Sequence, residues 1–139
     1  MNVEKAKVLV LDDERSVADT MTQILRLYGY SATAAYDPLQ AIEWLSSHPC
    51  DVLIADVVFE AGQMSGIELA IRLRATLPDC KILLISGNNS TSELLQRAAE
   101  QGFWFDILAK PVHPSIVLER LTWMISPSGP IPAGHSPVS

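Results

Sequence analysis

Basic residues are scarce in this chain: ten Lys and Arg stand against sixteen Asp and Glu, a net charge of −6 over 139 residues. Grasping nucleic acid by its phosphates needs a basic face, and no cluster of Lys and Arg supplies one. Cysteine is nearly absent, with Cys50 and Cys80 alone, so no disulfide framework is expected. No apolar run approaches the roughly 20 residues of a membrane-spanning helix. The opening Met-Asn-Val-Glu-Lys lacks the basic-then-apolar pattern of a secretion leader, so a cytoplasmic location is the expectation. The first strand-to-helix turn lacks the glycines that a dinucleotide pyrophosphate needs; it carries acids instead. Zinc ligands are missing too: His48 has Cys50 close by but no further partners at suitable spacing, and His113 before Pro114 reads as a helix cap.

What is present is a regular alternation. Short apolar segments at 6–11, 31–36, 51–56, 81–86 and 105–110 read as strands, several without polar alternation, as buried parallel strands are. Helical patterns follow each one. The first, from Glu14 to Tyr28, sets Val17, Met21, Ile24, Leu25 and Tyr28 on one face. Asp37-Pro38 carries the chemistry of a helix start, with Ala41, Ile42 and Leu45 turned inward. Ser65 with Glu68 and Ser90 with Glu93 are capping boxes, and Gly102 is a helix stop. The last helix begins at Pro114 and turns Val117, Leu121 and Ile125 inward. That leaves Ile116 and Trp123 on the surface near Trp104, a face suited to a partner or a second copy. Five strand–helix units predict a doubly wound, three-layer α/β domain with a parallel five-stranded sheet over residues 1–125. Residues 126–139, dominated by Pro, Ser and Gly, are expected to form a disordered tail.

In such a sheet ligands bind beyond the carboxyl ends of the strands. Those ends carry Asp12 and Asp13 on the first strand, Asp56 on the third, Ser86-Gly87 on the fourth and Lys110-Pro111 on the fifth. Two carboxylates about 4 Å apart repel by roughly 4 kcal/mol at the effective dielectric of a protein surface. Three together must hold a proton or a cation. Hard carboxylate oxygens suit Mg²⁺, which keeps part of its water shell and takes oxygens from a phosphate. A cation, an ammonium and a hydroxyl around an aspartate make a site for a phosphoryl group. Singly, each residue has a plainer reading as a cap or a solvated side chain; together they share no structural explanation. At the far end of the sheet, Cys50 and Cys80 each lie six residues before a site residue. On adjacent parallel strands they would stand level, where a disulfide is geometrically conceivable, but free thiols are expected in a reducing cytoplasm.

The segments "VLVLDDE", "DVLIADV", "GIELAIRLR", "ILLISGN" and "LAKPV", in that order, resemble the receiver domain of two-component response regulators over residues 6 to about 125. The resemblance implies a flavodoxin-like, CheY-like fold with strand order 2-1-3-4-5. It implies that Asp56 accepts a phosphoryl group from a histidine kinase, a phosphotransfer protein or a small phosphodonor. It implies that Asp13, Asp56 and the backbone carbonyl of Val58 ligate Mg²⁺ directly, with Asp12 acting mostly through water. Ser86 and Lys110 would bind the phosphoryl oxygens, and the Lys110–Pro111 peptide would be cis. It further implies no turnover of external substrates beyond the domain's own phosphoryl transfer and dephosphorylation. Output would pass through the face built by the fourth helix, fifth strand and fifth helix, to a downstream protein or a second copy, with neither nucleic acid nor membrane bound directly.

Two departures stand out. The loop "VVFEAGQMSG" after the third strand is about two residues longer than the family's usual loop, and Ile107 occupies the usual position of a switch aromatic, with Phe105 the nearest ring. A degenerate receiver that only binds proteins, and a Mg²⁺-dependent phosphohydrolase working through an aspartyl phosphate, remain as alternative readings.

Overall fold

The computed structural model describes residues 6–59, 64–87 and 91–126. Each predicted apolar segment forms a strand: β1 (Lys7–Leu11), β2 (Ser31–Ala35), β3 (Val52–Asp56), β4 (Lys81–Ser86) and β5 (Asp106–Ala109). The helices between and after them are α1 (Arg15–Leu27), α2 (Pro38–Leu45), α3 (Gly66–Thr76), α4 (Thr91–Glu100) and α5 (Pro114–Ile125). All strand pairs are parallel, and the order across the sheet is β2-β1-β3-β4-β5. This is the doubly wound three-layer fold expected from the sequence.

The unbroken apolar strands are explained by two cores, one on each side of the sheet. Val8, Val10, Val52, Ile54, Leu83 and Ile85 face α1 and α5, where Ala18, Met21, Leu25, Val117, Leu121 and Met124 close the layer. The alternate residues Leu9, Leu11, Leu53, Ala55, Ile82 and Leu84 face α2, α3 and α4. A strand with a core on either side cannot afford a polar residue at either parity. The first polar side chains therefore come where the strands run out, at the edge that carries the acids.

One expectation is corrected. The inward face of α1 is Ala18, Met21, Thr22 and Leu25, whereas Val17 and Tyr28 are exposed and Ile24 only half-buried. The face sits one position round, with the small Ala18 fully buried where Val17 was expected. Thr22 is tolerated inside because its hydroxyl donates to the Ala18 carbonyl at 2.7 Å. In α5, Met124 joins Val117 and Leu121 in the core, while Ile125 is half-buried.

The helix ends follow the expected chemistry. Asp37 accepts from the Gln40 amide at 2.8 Å, Ser65 and Glu68 form a complete capping box, and the His113 ring accepts from the Ser115 amide. Gly102 ends α4 with φ at +92°. The partner proposed for Glu93, Ser90, lies outside the described residues, as do residues 60–63 of the longer loop and 127–139 of the tail. Among the described residues no helix is long and apolar enough to cross a membrane.

Replacing Asp37 by Ala removes the side chain that accepts from the Gln40 amide at the start of α2. Equilibrium urea unfolding is expected to show a loss of about 1 kcal/mol.

Candidate functional site

Strand alternation aims the edge residues. Asp12, Asp56 and Lys110 each come two residues after a side chain that faces α1 and α5: Val10, Ile54 and Leu108. The pairing of Leu11 with Ala55 sets Asp12 level with Asp56. Lys110 is brought in by β5, whose end is tied to β4 through the Lys110 amide donating to the Ser86 carbonyl at 2.7 Å. The Lys110–Pro111 peptide is cis.

The result is a compact charged cluster. Lys110 Nζ donates to Asp56 Oδ2 at 3.0 Å and lies 3.4 Å from Asp12 Oδ2. The other Asp12 oxygen accepts from the Glu14 amide at 2.9 Å and so orients the turn into α1. Asp12 is buried, Asp56 half-buried and Asp13 exposed. Each of the three offers an oxygen within 4.8 Å of the others. Beside them opens a cleft of about 530 Å³, polar at Asp12, Asp56 and Lys110 and apolar towards Val17 and Met21.

Burial pushes the Asp56 carboxyl above its usual range, and Asp12 adds to this; the hydrogen bond and charge of Lys110 pull the other way without winning. For Lys110, burial works against its charge, but the Asp56 and Asp12 carboxylates outweigh it and hold the ammonium above its ordinary value. Three carboxylates and one ammonium leave two negative charges at this edge. An all-oxygen donor set carrying that charge fits a hard divalent cation such as Mg²⁺. Asp12, Asp13 and Asp56 are the side chains able to hold it.

Every candidate side chain is thus at one edge. Asp12, Asp13, Asp56 and Lys110 are in mutual reach, and half-buried Ser86 ends the neighbouring strand. Val58 lies two residues beyond Asp56, and its backbone favours the ionised Asp56 carboxyl. At the departures from the family pattern, Ile107 packs into the core beneath α3 and α4. Phe105 lies under the Arg74 guanidinium, 4.7 Å from its ring centre, and Arg74 also donates to the Trp104 carbonyl. The ring is therefore engaged at the start of β5 rather than at the site.

Sequence reasoning missed two glycines. A Cβ on Gly66 would lie 2.1 Å from the Asp56 carbonyl oxygen, so α3 can begin against the backbone of the central acid only without a side chain there. The Gly66 amide donates to the Val57 carbonyl at 2.8 Å and pins that approach. On the other side, a Cβ on Gly87 would press on the Lys110 stem at 3.1 Å. The only available signal was their place: one directly after a capping serine, the other directly after a strand end.

Known proteins agree with this architecture. The profile of the response regulator receiver domain matches residues 8–122. Response regulator MprA of Mycobacterium bovis is 30% identical over 130 residues, which are 94% of this chain and 55% of that protein. The chain thus spans about half the length of the curated relatives it matches. The chemotaxis response regulator CheY4 of Vibrio cholerae superposes with a TM-score of 0.70 at 29% identity, covering 85% of this chain and 97% of that one. A two-component response regulator from Clostridium difficile shares the fold with a TM-score of 0.77 at 20% identity, covering 91% and 100%.

Two outcomes follow from this geometry. Gly66→Ala forces α3 off the Asp56 backbone, and denaturant unfolding is expected to show a loss of about 3 kcal/mol, the upper end of overpacking costs. Asp56→Asn acts oppositely. A carboxyl whose folded pKa is raised contributes stability that is complete below its unfolded pKa and is lost as pH rises through the folded one. The neutral amide escapes that loss, so at pH 7 without divalent metal the variant is expected to melt higher than the wild type. Thermal melts in chelator and in Mg²⁺ check this: the difference should shrink or reverse with metal.

Proposed function

The chain belongs to the response regulator receiver family of two-component signalling, and on that footing we propose that it accepts a phosphoryl group on Asp56 from a histidine kinase or phosphotransfer protein. One observation carries the reading: the acid at the end of the central strand lies 3.0 Å from Lys110 Nζ, inside a cluster of carboxylate oxygens within 4.8 Å of one another. A phosphoryl group arriving at Asp56 would meet an ammonium and a cation-binding acid set within a few ångströms, with Ser86 at the end of the neighbouring strand.

In the proposed transfer an Asp56 carboxylate oxygen attacks the phosphorus of a phosphohistidine. The O–P bond forms, the P–N bond breaks, and the imidazole leaves with its electron pair. Burial raises the cost of ionising Asp56, which is also what makes a desolvated carboxylate the better nucleophile once it is ionised. Lys110 holds that carboxylate in place before transfer and is positioned to follow the charge onto the phosphoryl oxygens after it. Ser86, at the end of β4, is the hydroxyl within the same edge. Mg²⁺ held by Asp12, Asp13, Asp56 and the Val58 carbonyl would supply positive charge to the oxygens of the transferring group.

The aspartyl phosphate adds nearly two negative charges and strong acceptors next to Ser86 and Lys110. Movement of these residues would be passed to the face formed by α4, β5 and α5. Exposed Trp104, Ile116 and Trp123 there suit a downstream protein or a second copy of the chain. We assign no turnover of external substrate, no direct nucleic-acid contact and a cytoplasmic setting to this function. The net charge of −6 supports the second of these.

Intact mass after incubation with acetyl phosphate and Mg²⁺ is the test. One phosphoryl increment is expected, absent in Asp56→Ala and in chelator, and at least about tenfold slower to form in Lys110→Ala. An adduct that persists in Asp56→Ala means a different nucleophile. No adduct, with Mg²⁺ binding shown separately, favours a module that only binds proteins. Catalytic release of phosphate from an external phosphoester would make it a hydrolase.

A further inference from the structure

At the opposite end of the sheet from the acids, about 20 Å away at strand rise, the starts of β3 and β4 bring the only two cysteines of the chain together. Cys50 and Cys80 are free thiols with their sulfurs 3.6 Å apart. The backbone around them is held on both sides: the Asp51 amide donates to the Lys7 carbonyl at 2.8 Å, and the Lys81 amide donates to the Asp51 carbonyl at 2.9 Å. Cys50 comes two residues before β3 and Cys80 one before β4, and the pairing of Val52 with Lys81 puts Asp51 rather than Cys50 level with Cys80, so the expected level placement is off by one residue and the sulfurs meet diagonally.

The two thiols are unequal. Cys80 is buried, and its S–H donates to Cys50. Cys50 is half-buried and lines a pocket of about 140 Å³ beside Trp44 and His48, room for a solute a few times the size of water. The bond from Cys80 favours the Cys50 thiolate against the cost of burial, while the Cys50 S–H itself donates to the Val52 carbonyl at 3.2 Å; the same bond between the sulfurs, with burial, keeps Cys80 protonated. One sulfur is thus partly accessible from the pocket, and the other lies in contact behind it.

We propose that Cys50 and Cys80 form a peroxide-reactive dithiol site that closes to an intramolecular disulfide, stapling the start of β3 to the start of β4. The Cys50 thiolate attacks one oxygen of hydrogen peroxide; an S–O bond forms, the O–O bond breaks, and hydroxide leaves and takes a proton to become water. Cys80 then attacks the Cys50 sulfenic sulfur. The S–S bond forms, the S–O bond breaks, and the departing hydroxide carries off the Cys80 proton as a second water. Two thiols are oxidised by two electrons, and one peroxide is reduced to two waters. The sulfurs need to close from 3.6 Å to about 2.05 Å, a step within reach of side-chain rotation. The bridge would enclose β3, α3 and the residues between them, the segment that carries Asp56.

The test uses the whole reduced protein, hydrogen peroxide and intact mass with thiol alkylation. Expected are loss of both alkylatable thiols, a mass lower by two hydrogens, a monomer on a non-reducing gel, a Cys50–Cys80 linked peptide, and full reversal by dithiothreitol. In Cys80→Ser, dimedone should trap a sulfenic acid at Cys50, and in Cys50→Ser oxidation of Cys80 should be at least about tenfold slower. The proposal is overturned if both thiols stay alkylatable under peroxide that oxidises glutathione in the same tube, or if the product is a disulfide-linked dimer. Faster oxidation of Cys50→Ser than of Cys80→Ser would overturn the order of attack. The wild-type mass decides the bridge even if either variant folds poorly.

Discussion

Lys110 holds together an edge that its own neighbours would force apart. Asp12 and Asp56 end adjacent strands at the same level, both largely removed from water, and their mutual repulsion at such range is of the order of several kcal/mol. The ammonium between them, 3.0 Å from one and 3.4 Å from the other, offsets much of that. Burial adds a cost of its own, and with a smaller contribution from Asp12 it leaves Asp56 harder to ionise than an ordinary aspartate. The edge is thus left with unspent attraction for positive charge and for anything that brings a cation with it. Stability has been traded against a site that is under-neutralised by construction.

The tight packing of α3 behind Asp56 follows from the same constraint. A carboxylate can be kept in a strained electrostatic position only if its backbone cannot retreat. The absent side chain of Gly66 allows the start of α3 to sit against the Asp56 carbonyl, and the capping box of Ser65 and Glu68 fixes where that helix begins. On the other flank Gly87 leaves space for the Lys110 stem to lie along the end of β4. Two glycines thus do as much to define the cluster as the charged residues do, by what they leave out.

Much of this was legible in the residues. Unbroken apolar strands can only be buried on both faces, so the three-layer architecture followed from "DVLIAD" and "KILLIS" together with the helices between them. Acids, hydroxyl and ammonium at successive strand ends had no shared structural reason, and their order along the chain matched their place at one edge. The capping residues Asp37 and Ser65 were readable because their chemistry is local. The inward face of α1 was not. Val17 and Tyr28 match the helical period as well as Ala18 and Thr22 do, and only the approach of α1 to the sheet decides between them.

The sequence by itself determined which segments are strands, which ends carry charge, and that the chain packs in alternating units, because periodicity and capping are properties of a few consecutive residues. Tertiary structure alone decided the rest. Residues 98 positions apart, Asp12 and Lys110, become partners only when strand order and register are set. Packing of the whole domain likewise brings the sulfurs of Cys50 and Cys80 to 3.6 Å and makes Gly66 a point of contact with Asp56. Distances between strands belong to the sheet as a whole, and no stretch of sequence contains them.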